Sequence, residues 1–180
     1  MFRLVIKLID HAQGKIGRLS AFAIAFMTFL GALNAILRYS SRYIGLNLSS
    51  NAYLEAQWYL FAFVFLIGAP YTLSQNRHVR VDVLYGRFSK PVQHTINLIG
   101  HLFLLLPFCG FGIWASYHFA LDSWTIREMS PDAGGLPRYI VKALIPVGFF
   151  LLGIQAIVEI LRHIDALMAK NSSESQENPS

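Results

Sequence analysis

Between Asn76 and Lys90 the sequence gathers four bases, Arg77, Arg80, Arg87 and Lys90, with one acid, Asp82, and with His78 and Tyr85 among its other polar side chains. It is the place where charge concentrates in an otherwise oily chain. Val79, Val81 and Val83 alternate with Arg80 and Asp82, which argues for an extended piece with one polar and one apolar face. On a strand Arg80 and Asp82 share a face; on a helix they diverge. Basic residues at a membrane surface fix orientation, which accounts for Arg87 and Lys90. An acid adds little to orientation, so Asp82 calls for a specific partner. Arg77, His78, Arg80, Asp82 and Tyr85 are therefore expected to be structural or subunit-contact residues rather than a ligand site.

Other polar groups are sparser. His94, Asn97 and His101 recur at spacings of three and four, which places them on one helix face turned toward protein or a wet crevice. Glu55 precedes Trp58-Tyr59 and is expected to be a solvated acid at a helix N-terminus, where the helix dipole favours negative charge. Trp124, Arg127 and Glu128 open a second polar connection. They form either a docking surface or a loop folded onto its own helix ends.

Several chemistries find no support. His94, His101 and His118 all lie on one apolar stretch, an arrangement that disfavours bis-histidine haem within the chain. The single Cys109 excludes an internal disulfide. No nucleophile–base pair or zinc spacing is present, and no apolar stretch has an ionised residue at its midpoint, as ion pathways usually do. The expectation is a chain without catalysis, cofactor, metal or nucleic-acid partner.

The elements that position these residues follow from composition. Of 180 residues, 54% are hydrophobic and only 14% charged, against about 25% charged in soluble domains. The length accommodates about four spans of roughly 20 residues. Residues 2–18 alternate apolar Phe2, Val5, Ile9, Ala12 and Ile16 with Arg3, Lys7, Asp10, Lys15 and Arg18, the pattern of an interfacial amphipathic helix. Four spans follow, at about 19–37, 55–73, 92–120 and 139–161. The third is too long for a straight crossing and must tilt, bend or project into water, with Pro107 the place for a bend. The sequence thus predicts an all-α membrane protein: an interfacial helix over 1–18, a four-helix transmembrane domain over 19–165, and a disordered polar tail over 166–180. Ten bases fall on the side of the termini and the charged connection. Five (Arg38, Arg42, Arg127, Arg138 and Lys142) fall on the other, which assigns both termini to the cytoplasm. A stand-alone four-helix protein, such as a small channel or an electron-transfer anchor, is the alternative to a subunit that assembles with a larger one.

The run from Tyr59 to Ala69 leading into His78-Val79-Arg80-Val81-Asp82 resembles the small permease subunit of TRAP (tripartite ATP-independent periplasmic) transporters. Glu128-Met129-Ser130, Gly135-Leu136-Pro137 and Lys142 through Ile145-Pro146-Val147-Gly148-Phe149 resemble the same family's region between the third and fourth spans. The resemblance covers about residues 15–165. It implies a non-enzymatic, cofactor-free subunit of a bacterial inner-membrane symporter. Its partners would be membrane lipid, a large permease subunit that it braces, and a periplasmic binding protein that delivers an organic acid for sodium-coupled uptake.

Overall fold

The computed structural model describes residues 2–45, 50–76 and 85–177, with side chains described from Ile6 to Met168. Four long helices make up this part of the chain: α1 (Phe2–Ile44), α2 (Asn51–Ser74), α3 (Lys90–Thr125) and α4 (Arg138–Glu177). Each contains a stretch long and apolar enough to cross a membrane. The tail expected over 166–180 begins inside α4, whose backbone is helical to Glu177; residues 178–180 lie outside the described set.

The separate interfacial helix expected over 1–18 does not exist. Residues 2–18 are the first part of α1, one unbroken helix of 43 residues, about 65 Å long at 1.5 Å per residue. Among the described residues four helices are long and apolar enough to cross a membrane, and no separate N-terminal helix precedes them. Nothing between Lys15 and Ser20 stops a helix. Gly17 alone weakens it, and Gly17 is needed for packing: a Cβ there would fall 2.6 Å from the Tyr71 ring of α2. Some polar residues at this end of α1 also face protein rather than a headgroup layer, while Lys7, His11, Lys15 and Arg18 stay exposed. Gln13 and Ser20 are buried, and Asp10 pairs with Arg162 of α4. The helix stops at Gly45, whose left-handed φ of 72° and N–H bond to Ser41 O form an ordinary glycine cap.

Helix α2 starts at Ser50, whose Oγ accepts from Ala52 N at 3.2 Å. Helix α3 is irregular just before Pro107, where the sequence places its bend. It is α-helical over Lys90–Gly100 and Leu106–Thr125, and π-helical over His101–Leu105. Pro107 supplies the cause: its ring lacks an N–H and crowds the carbonyl four residues back, Phe103 O, so the preceding turn widens.

In space the helices lie in the order α1, α2, α4, α3. This is a row rather than a closed bundle. Helices α2 and α4 each have neighbours on both sides, and α4 is the most covered, with 39% of its membrane window buried against 11–17% for the other three. At the α2–α4 seam the helix backbones themselves come close: a Cβ on Gly148 would meet Leu66 Cβ at 2.8 Å and Leu66 O at 3.0 Å. Backbones approach this closely only where one side chain is absent. Gly148→Val should lower the thermal unfolding midpoint of the purified chain, by the equivalent of about 1–3 kcal/mol. Gly110→Ala, with open space around its Cβ, should leave it equal or higher.

Candidate functional site: a buried clasp and the opposite latch

The row is fastened at both ends by polar groups. At the first end the connection between α3 and α4 is a tight hairpin. Helix α3 ends in a Schellman arrangement, with Glu128 N bonded to Ser123 O at 3.0 Å and Arg127 N to Trp124 O at 3.3 Å. Arg127 occupies the left-handed position usual for glycine, at φ 51°. The chain then returns: Ser130 N bonds Leu136 O at 3.2 Å, Arg138 N bonds Glu128 O at 2.9 Å, and Met129 bridges Pro137 antiparallel.

Glu55 of α2 reaches into this hairpin. Its carboxylate accepts from Ser130 Oγ and from the backbone N–H of Leu136. Tyr59 Oη, one turn on, donates to Leu136 O at 3.3 Å, and Asn51 Nδ2 donates to Ala133 O at 3.1 Å. Gly135 must be glycine, because a Cβ would stand 2.5 Å from Ser130 Cβ and 2.8 Å from Glu55 Oε1. The solvated Glu55 expected from sequence is therefore corrected: it is only 3% exposed. The hairpin folds back over the start of α2 and replaces water with its own donors. A buried carboxylate is tolerable only when so supplied.

Trp124, Arg127 and Glu128 belong to this same assembly. The Arg127 guanidinium lies 5.6 Å from the Trp124 ring centroid and 5.4 Å from that of Tyr139, the two rings meeting edge to face at 5.0 Å. Glu128 pairs with Lys142, whose Nζ sits 4.2 Å from the Phe119 ring centroid. The Lys142 ammonium holds the Glu128 carboxyl below the usual carboxylate range. All three residues thus have partners in their own chain, while Trp124 keeps 46% of its surface open.

At the opposite end the stripe His94, Asn97 and His101 faces α4 and Tyr85, not lipid. His94 Nδ1 lies 3.0 Å from His163 Nδ1, a contact that needs one proton between the two rings. The His101 ring stacks on His163 with centroids 5.5 Å apart and planes at 17°. Asn97 Nδ2 donates to Tyr85 Oη at 2.8 Å, and Gln93 Nε2 donates to Tyr85 O at 3.2 Å. Among the described residues no group of three or more His, Cys, Asp or Glu side chains is arranged to hold a metal ion. Close by, Arg162 joins Asp10 of α1 to Glu159, and Glu159 accepts from the fully buried Gln155 at 2.9 Å.

Sequence reasoning missed His163 and Arg162 because both lie past the expected end of the fourth span. The signal available was that His94 and His101, seven apart on one face, need a polar neighbour on another helix. Of the charged connection, Arg77, His78, Arg80 and Asp82 lie outside the described residues. Tyr85 lies within them and is held by its own chain.

Replacing Glu55 with Gln substitutes a donor for one of two acceptors facing two donors. Limited proteolysis within 128–138 should become several-fold faster in Glu55→Gln than in the parent, and Asn51→Ala should change it much less. The Glu128–Lys142 pair carries a pH signature. A carboxyl whose folded pKa lies below its unfolded one contributes stability above the usual carboxylate range and loses it as pH falls through the folded value. The thermal-stability advantage of the parent over Glu128→Gln should hold constant from about pH 8 to about pH 6 and close only in stronger acid.

Comparison with known proteins converges on one family. Residues 33–166 match the model of the DctQ component of tripartite ATP-independent periplasmic transporters. The ectoine TRAP transporter small permease protein TeaB of Halomonas elongata is 25% identical over 150 residues, covering 83% of this chain and 76% of that protein. The C4-dicarboxylate TRAP transporter small permease protein DctQ of Pseudomonas aeruginosa is 32% identical over 119 residues, 63% of this chain and 55% of that protein. The chain thus spans about half the length of the second relative. No solved structure matches. The four-helix chain with its clasped hairpin, a multi-pass inner-membrane protein, belongs to the DctQ family of non-catalytic TRAP small permease subunits.

Proposed function

We propose that this subunit braces the large permease subunit of its transporter as a fixed plate, while a periplasmic binding protein delivers an organic acid for sodium-coupled uptake. One observation carries the bracing role. The four helices form a row fastened by polar contacts at both ends, Glu55 to the 128–138 hairpin at one and Asp10–Arg162 and His94–His163 at the other. A plate of this kind has two broad apolar faces and little freedom to shear. Family membership supports the two partners and removes the ground for a stand-alone channel or electron-transfer anchor.

The excess of bases supports a cytoplasmic position for the termini and the 77–90 connection, with the clasped hairpin periplasmic. On that reading Arg77, His78, Arg80, Asp82 and Tyr85 tie the cytoplasmic connection to the helix ends or to the large subunit. Trp124, Arg127 and Glu128 lie where the binding protein docks. Sodium coupling and an organic-acid substrate rest on the family resemblance. The relatives are named for ectoine and C4-dicarboxylate transport, and both compounds carry a carboxylate.

Affinity purification of the full chain from native membranes in mild detergent tests the reading. A large multi-span protein should co-purify, and Asp82→Ala should reduce its yield several-fold. A homo-oligomer alone would contradict the proposal. Uptake by the reconstituted complex should cease when sodium is replaced by choline.

A further inference from the structure

A groove of about 480 Å³ opens between α2 and α4, walled by Trp58, Phe61, Phe65, Phe119 and Ile145 and rimmed by the basic residues Arg138 and Lys142. From Trp58 to Phe65 on α2, and from Arg138 to Ile145 on α4, it runs about 10 Å along the helices. That is about two-thirds of one leaflet's share, roughly 15 Å, of the hydrocarbon core. Its lower part is apolar and aromatic; its charge is confined to the mouth.

The charges at the mouth are not equivalent. Lys142 is spent on Glu128, and Glu55 is spent on Ser130 and the Leu136 N–H. Both carboxylates lie near enough to feel the Arg138 charge, yet Arg138 Nε is buried with no hydrogen-bond partner. A guanidinium whose buried Nε lacks a protein acceptor, at the top of an apolar slot, matches a phosphate carried on an acyl chain. A partner helix fits less well. Helices dock through small residues, and those line the other groove, between α1 and α2, at Gly17, Ala21, Gly68 and Ala69. The α2–α4 groove presents bulky rings instead.

We infer that this groove binds one anionic glycerophospholipid, its phosphate on Arg138 and one acyl chain along Phe61, Phe65 and Phe119. The lipid would fill the seam beside the clasp and extend the plate's thickness there. The inference is independent of the transport reading, because it concerns the isolated chain.

Native mass spectrometry of the purified full chain tests it, with phosphatidylglycerol, phosphatidylcholine and inorganic phosphate as probes. One phosphatidylglycerol should be retained in preference to phosphatidylcholine by about fivefold, the factor for one basic residue at an anionic surface. Arg138→Gln should erase that preference. Ala62→Trp, which fills the groove one turn from Trp58, should abolish retention of either lipid, and an unfolding midpoint equal to the parent's in both variants excludes a folding defect. Three results would overturn the inference: equal retention of both lipids by the parent, unchanged preference in Arg138→Gln, or displacement of lipid by inorganic phosphate alone.

Discussion

A carboxylate cannot stay charged and buried without donors, and Glu55 is buried. That constraint organises one whole end of the molecule. The hairpin between α3 and α4 must close tightly enough to present Ser130 Oγ and Leu136 N–H at one point, which in turn demands glycine at 135. The hairpin can close only if α3 stops abruptly, and it does so at Arg127 despite a left-handed backbone costing about 1–2 kcal/mol for a residue with a Cβ. Arg127 is retained there because its guanidinium packs against Trp124 and Tyr139. One acid thereby fixes α2 to the two helices that follow the charged connection.

The other end is held by different chemistry. Asp10, Arg162 and Glu159 form an ion-pair chain, Gln155 extends it inward, and three imidazoles gather where α3 meets α4. Inside a membrane there is no hydrophobic drive to press helices together, so close packing and polar contacts must do it. The polar contacts described here concentrate toward the helix ends, while the middle of the α2–α4 seam relies on Gly148. Such fastening suits the proposed bracing role, which requires resistance to shear. The His101–Leu105 π-turn fits the same logic: it takes up the strain of Pro107 in α3 and carries His101 toward His163.

Much of this was legible in the sequence. Four spans, an irregular turn in α3 beside Pro107, and the inward turn of His94, Asn97 and His101 all follow from apolar length, Pro107 and a spacing of three and four. The continuity of α1 was not legible, because a basic amphipathic segment reads the same whether its apolar face meets lipid headgroups or Tyr71. Only the tertiary contacts of Gly17 and Asp10 decide it. Glu55 misled for a similar reason. At a helix start an acid is stable in water through the dipole, and nothing local to residues 51–59 reveals that a hairpin 75 residues later will cover it. The charged connection that dominates the sequence, Arg77 to Asp82, lies outside the described residues, so its contacts remain a proposal resting on Asp82.

The proposed bracing role requires the four helices to form one rigid plate. Spin labels at Tyr43→Cys on α1 and Ile126→Cys beyond α3, both exposed sites, in a Cys109→Ala background, would report the distance across the row by pulsed electron paramagnetic resonance. The account predicts a single narrow distance, the same for the free subunit and for the subunit assembled with its large permease partner. A second distance population, or a shift on assembly, would contradict it.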